Sequence, residues 1–225
     1  MFYRFKNRRE AGQALVNVLG AYAHRKDVLV LALPRGGVPI AYEVAKALSL
    51  PLDIWTVRKL GVPGHEEFAM GAIAMGGQGH INRDITHDLK ISDDAINQVM
   101  AKERDELERR NKLYRQGKAM PDFKDKIILI IDDGLATGST MKAAIESLRH
   151  EHAETIIVAV PVGAPESVEE IKLLADEVLC LQTPSPFYGV GAWYADFSQT
   201  SDDEVQDLLA NQPWIKTEES SDDKT

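Results

Sequence analysis

Residues 127–140 read IILIIDDGLATGST: an apolar run ends in two adjacent acids, Asp132 and Asp133, and continues through Gly134 into a small polar turn that opens a helix. In that turn Thr137, Gly138, Ser139 and Thr140 gather backbone N–H groups and hydroxyls at a helix N-terminus. Such a place is an anion site, because the first N–H groups of a helix have no partner within it. Two carboxylates beside it repel a purely anionic ligand, so the ligand must also bring hydrogen-bond donors or cations. A pentose phosphate accompanied by a divalent cation meets both demands: its vicinal hydroxyls donate to the carboxylates and its phosphate accepts from the turn. The plainer alternative is that the acids solvate a strand end and the turn only caps a helix.

Cations lie in two further segments. Residues 33–37, LPRGG, follow an apolar run and precede a helical pattern, so Arg35 and the N–H groups around Gly36 and Gly37 can cradle a second anion. Glycine there permits close backbone approach, although the segment taken alone reads equally well as a turn. Arg58 and Lys59 close another apolar run and lead into residues 60–79, which carry Gly61, Pro63, Gly64, Gly71, Gly76, Gly77 and Gly79. That glycine content suits a mobile lid, and two cations stand at its root. They can also simply solvate a strand end. Within the expected lid, His65, Glu66 and Glu67 are candidates for proton transfer. Residues 183–197, TPSPFYGVGAWYADF, offer Phe187, Tyr188, Trp193 and Tyr194 for stacking on a flat heterocycle, or for ordinary packing.

The elements that must position these groups are legible as apolar runs. Residues 28–33, 52–57, 127–131, 155–160 and 177–181 are mostly uninterrupted, as strands covered on both faces are. Helical patterns at 38–48, 140–148 and 165–174 separate them, the last opening on Pro165. Alternation of strand and helix implies an α/β fold with a doubly wound parallel sheet, which takes ligands at the carboxyl ends of its strands.

Two helices flank this pattern. Asn7 and Glu10 stand at capping-box spacing ahead of a helix reaching about residue 23. Ser92 caps another, acidic at its start through Asp93 and Asp94 and basic later, whose thin stripe of Ile96, Val99, Met100, Leu107 and Tyr114 can dock on its own domain or on a partner subunit. The expected organisation is one domain over about residues 1–216, with a lid at about 60–79, a helical insertion at about 92–117 and a small C-terminal hood at about 183–197. The acidic stretch 217–225, TEESSDDKT, is expected to be disordered.

Composition narrows the classes. A chain of 225 residues that is 44% hydrophobic can bury a full core without metal clips or disulfides. Cys180 is the single cysteine, which fits a reducing compartment, and neither an export signal nor a spanning run is read, so a cytoplasmic location is expected. A net charge of −9 argues against broad nucleic-acid binding.

The stretch 128–140 closely resembles, without a break, the phosphoribosyl-diphosphate motif of the type I phosphoribosyltransferases, in which an apolar strand leads to two acids and an Ala-Thr-Gly-x-Thr loop. The resemblance implies that fold and a pentosyltransferase reaction: a nitrogenous base displaces pyrophosphate from phosphoribosyl diphosphate, with Mg2+ carried by the sugar diphosphate rather than by a direct protein ligand. It assigns Asp132 and Asp133 to the ribose hydroxyls, Ala136 to Thr140 to the 5′-phosphate, and Arg35, Gly36 and Gly37 to pyrophosphate. Arg58 and Lys59 match the family's basic dipeptide ahead of its flexible loop, Glu66 lies in that loop, and Phe187 lies in the hood that holds the base. The 6-oxopurine branch usually has an acid at the position of Ala136, so the chain is closer here to the adenine, uracil and orotate branches. Expected partners are small molecules, phosphoribosyl diphosphate and a nucleobase-like acceptor, with no nucleic acid and no membrane; a homodimer is one arrangement the helical insertion allows. The rival of the same fold is a noncatalytic regulator that senses phosphoribosyl diphosphate or a nucleotide. A receiver domain fits badly, since its acids belong near the first strand, and the signatures of P-loop nucleotidases and α/β-hydrolases are missing.

Overall fold

The computed structural model describes residues 2–76 and 79–214, apart from the Glu67 side chain. Gly77 and the acidic stretch 217–225 lie outside the described residues. In chain order the first half runs α1 (Arg8–Leu19), β1 (Val28–Ala32), α2 (Gly37–Leu48), β2 (Leu52–Ile54), β3 (Val57–Val62), β4 (His65–Ala74) and β5 (Gly79–Ile81). Then come α3 (Arg83–Asp88), α4 (Asp93–Arg115), β6 (Ile127–Ile131), α5 (Ser139–His150), β7 (Thr155–Val162), α6 (Pro165–Lys172), β8 (Glu177–Gln182) and α7 (Asp202–Ala210).

A parallel sheet in the order β2-β1-β6-β7-β8 forms the centre. Its strands are apolar throughout because both faces are covered. Successive side chains alternate between the faces: Val28, Val30, Ala32, Leu129 and Ile131 pack with α1, α2 and α7, while Leu29, Leu31, Ile128 and Ile130 pack with α5 and α6. β1 and β6 are in register, with Ala32 opposite Ile131, so the segments leaving these two strands emerge side by side. None of the described helices is long and apolar enough to cross a membrane.

One expectation about the second quarter of the chain needs correction. The apolar run 52–57 is not one strand: β2 ends at Ile54, and Trp55, fully buried, donates its indole N–H to Ser147 Oγ at 2.8 Å across the core. The chain turns there, and β3 joins a separate antiparallel sheet in the order β3-β4-β5. Residues 60–79, expected as a lid, supply most of that sheet. Two of its glycines serve close approach: a Cβ on Gly61 would lie 2.5 Å from the Glu66 carbonyl oxygen, and one on Gly71 would overlap the His80 carbonyl. Leu60, Val62, Met70 and Ile73 are buried together with Ile96 of α4, so the apolar stripe of that helix docks on its own chain.

Candidate functional site

The strand order turns at the boundary between β1 and β6, since β2 lies outside β1 while β7 and β8 lie outside β6. An open α/β sheet has a crevice at the carboxyl ends of its strands at this point. Residues 33–37 leave β1 here, and Asp132, Asp133 and the following turn leave β6. The two segments are fitted to each other. A Cβ on Gly36 would overlap the Asp133 carboxylate, and one on Gly37 would lie 2.6 Å from the Ile131 carbonyl oxygen and 3.0 Å from Asp132 Cα. Leu33 N–H donates to the Ile131 carbonyl at 2.9 Å, Gly37 N–H to Leu33 at 3.1 Å and Val38 N–H to Arg35 at 3.1 Å, while the Pro34–Arg35 peptide is cis. The N-termini of α2 and α5 therefore follow directly on the two segments that meet.

Beyond the acids the turn is anchored from below and open above. Leu135 is buried and exchanges backbone hydrogen bonds with Val162 and Ala164, and the Ala136 carbonyl accepts from Ser167 Oγ at 2.5 Å. Ala136 and Thr137 remain exposed. Gly138 adopts φ +67°, a left-handed conformation that suits glycine, and as the N-cap of α5 it supplies no capping side chain; the Ser139 N–H meets only Thr137 Oγ1, at 3.5 Å, a long contact that an anion can replace. The hydroxyls of Thr137 and Ser139 lie 3.0 Å apart, and those of Ser139 and Thr140 belong to the same first turn.

The acid pair is less solvent-facing than a strand-end pair. Asp132 Oδ1 accepts from the Asp133 N–H at 2.8 Å. Burial first, and then the neighbouring Asp133 charge, push the Asp132 carboxyl well above the usual carboxylate range. Burial also raises Asp133, but Arg8 opposes it by charge and hydrogen bond. Arg8 Nε and Nη2 donate to Asp133 Oδ2 at 3.0 and 2.9 Å, and Nη1 donates to the Ser198 carbonyl at 2.7 Å. Tyr194, fully buried, donates its hydroxyl to the Asp133 carbonyl at 2.7 Å, and burial together with the acids raises its phenol far above the ordinary value. Arg8 and Tyr194 are the pieces sequence reading missed as parts of the acid site. One signal was present: Arg8 sits in the first turn of α1, where a cation opposes the helix dipole and so needs another reason to be there.

The remaining candidates are dispersed. Arg35 is half-buried, its Nη1 3.6 Å from Asp202 Oδ1, which also accepts from the Tyr114 hydroxyl. Arg58 and Lys59 do not act as a pair at a strand end: they lie within β3 and, being consecutive, face opposite sides of it. Arg58 turns to α4 and pairs with Glu103 at 2.6 Å. Lys59 is exposed opposite Ala72 in the next strand, on the face shared with Val57, which packs towards α5. Glu66 is exposed beside the β3–β4 turn, and among the described residues no hydrogen bond or ion pair joins it or Lys59 to the acid pair. Phe187 packs against the main core, whereas Tyr188 beside it is 79% exposed.

This crevice on this sheet defines a class. Residues 6–196 match the family model described as the phosphoribosyl transferase domain, and the chain belongs to that family. A Mycobacterium tuberculosis H37Rv protein named provisionally as a phosphoribosyl transferase, Rv0571c, is 45% identical over 205 residues, covering 91% of this chain and 46% of its own length. The chain thus spans about half the length of the curated relatives it matches. The crystal structure of TT1426 from Thermus thermophilus superposes with a TM-score of 0.79 at 39% identity, covering 92% of this chain and 97% of that one. A uracil phosphoribosyltransferase of Acinetobacter baylyi is 40% identical over 80 residues, 36% of this chain and 37% of its own.

Proposed function

We propose that the chain is an enzyme that transfers the 5-phosphoribosyl group from phosphoribosyl diphosphate to a nitrogenous base and releases pyrophosphate. The observation that carries the reading is the fit of Gly36 and Gly37 against Asp133 and Asp132 at the point where the sheet reverses, with two helix N-termini following. Asp132 and Asp133 accept from the ribose hydroxyls, and the turn from Ala136 to Thr140 takes the 5′-phosphate through N–H groups and hydroxyls. Arg35 and the N–H groups of Gly36 and Gly37 receive pyrophosphate. As the bond from the anomeric carbon to pyrophosphate breaks and the bond to the base nitrogen forms, positive charge grows on the sugar and negative charge on the leaving group, so donors aimed at pyrophosphate matter most. Lys59, exposed on β3, is the cation that meets that charge, and Tyr188 joins Phe187 as a stacking surface for the base.

Mg2+ fits this donor set as a companion of the diphosphate. Two adjacent carboxylates, one with an oxygen already committed to Arg8, are too few for an all-protein cage, which leaves the cation to the substrate phosphates, with Asp132 and Asp133 nearby rather than as its ligands. Bound there, it would neutralise the leaving pyrophosphate. The lone Cys180 and the small-molecule substrates support a cytoplasmic location.

A second reading, a noncatalytic sensor of phosphoribosyl diphosphate or a nucleotide, has one observation in its favour: Arg58 is committed to Glu103 and so is one cation fewer for pyrophosphate. Incubation with Mg2+, phosphoribosyl diphosphate and a panel of free bases, with pyrophosphate and nucleotide assayed together, separates the two. Equimolar products with one base are expected. Binding without either product would mean the sensor or a base outside the panel, and pyrophosphate alone would mean hydrolysis.

A further inference from the structure

Arg8 is 125 positions from Asp133 in the chain, yet its guanidinium reaches that carboxylate. Two N–H groups reach one carboxylate oxygen, a third reaches the Ser198 carbonyl, and the guanidinium carbon lies 4.0 Å from the centroid of the Phe197 ring. The side chain is only 11% exposed. A planar fork over an aromatic face meets these three partners at once, as an ammonium group does not. Asp133 is also held from its backbone by Tyr194, which packs against Phe197 with ring centroids 5.1 Å apart, and Gly36 leaves open the space its carboxylate fills.

Resting on the function proposed above, we propose that Arg8 is a positioning residue: by holding Oδ2 of Asp133 it fixes the carboxylate so that Oδ1 is presented to a sugar hydroxyl of phosphoribosyl diphosphate. The bonds to Arg8 both fall on Oδ2, which leaves Oδ1 outside the ion pair. The charged and titratable groups around this carboxylate are Asp132 from the same strand end, Arg8 from α1 and Tyr194 from the hood, with Asp196 acting on Arg8 from beyond. Among them only Arg8 favours the ionised form of Asp133. Arg8 also lowers Asp132 by its charge, so its removal must move protonation of the acid pair, and the loss of ligand binding that follows, to higher pH.

Calorimetric titration of phosphoribosyl diphosphate with Mg2+ into wild type, Arg8→Ala and Arg8→Lys, over about pH 5 to 8, tests this. Arg8→Ala is expected to bind at least about tenfold more weakly at neutral pH, with its acidic loss of affinity beginning at higher pH than in wild type. Arg8→Lys restores the charge without the fork, so it should recover the position of the pH profile and only part of the affinity. Affinity lost equally at every pH, or unchanged in Arg8→Ala, overturns the proposal. Should Arg8→Ala fail to fold, Arg8→Lys decides: wild-type affinity in it would mean that the fork is not needed. Absence of binding by the wild type would instead overturn the proposed function, and this inference with it.

Discussion

Gly36 and Asp133 share one space: the carboxylate of Asp133 occupies the position where a Cβ on residue 36 would stand. The backbone of Gly36 is right-handed helical, with φ −63°, so glycine is not required there for its conformational freedom. The demand comes from the acid. Gly36→Ala should therefore push Asp133 off its partners, costing about 1–3 kcal/mol of stability through overpacking and weakening phosphoribosyl-diphosphate binding at least about tenfold. Thermal melting and calorimetry check it, and a variant with wild-type values in both would mean that the two loops are not rigidly fitted.

Asp132 bears on stability as well as binding. Its folded-state carboxyl lies above the ordinary value because of burial and the Asp133 charge, so its contribution is lost as pH rises from the ordinary carboxylate pKa, about 4, through the raised value. Asp132→Asn removes that burden and keeps the oxygen that accepts from the Asp133 N–H. At neutral pH the variant should melt higher, by about 2–4 °C for each kcal/mol relieved, with the gain shrinking below about pH 4. Melting curves across pH decide, and a variant less stable than wild type at pH 7 would count against the buried acid pair.

The two cations of β3 should separate in their effects. Lys59→Ala is expected to lower kcat more than it raises KM, because the charge it meets grows as pyrophosphate leaves. Arg58→Ala leaves Glu103, whose side chain is 14% exposed, without its ion-pair partner, so about 1–3 kcal/mol of stability should be lost. Steady-state kinetics and melting on both variants distinguish these roles, and a pure rise in KM for Lys59→Ala would assign it to ground-state binding.

For the base, the exposed aromatic and the packed one should differ. Tyr188→Ala should raise KM for the base while leaving affinity for phosphoribosyl diphosphate nearly constant, whereas Phe187→Ala should also lower the melting temperature, since its ring packs on the core. With Ala136 unable to handle a proton, hypoxanthine and guanine should be turned over weakly or not at all. Efficient turnover of either would place that proton on another group, such as Glu66.

The central sheet and the turn after β6 were legible because their causes are local. Uninterrupted apolar runs mark strands covered on both faces, and two acids followed by a Gly-Ser-Thr helix start declare themselves within a few residues. In residues 60–79 the strands were not legible, because glycine looks the same whether it grants mobility or close approach, and at Gly61 and Gly71 only the facing carbonyls of Glu66 and His80 reveal the close approach. The run 52–57 hid the turn at Trp55, whose partner Ser147 is 92 positions away. Arg8 and Arg58 were opaque for the same reason: their partners, Asp133 and Glu103, lie 125 and 45 positions off.

The most direct test of the account is the affinity of the crevice for its ligand. Phosphoribosyl diphosphate with Mg2+ should bind the wild type with one site per chain, and Asp132→Asn and Asp133→Asn should each weaken it at least about tenfold, about 1.4 kcal/mol, while both variants remain folded. Equal affinity in all three proteins would contradict the assignment of the acid pair to the sugar and, with it, the account of the site.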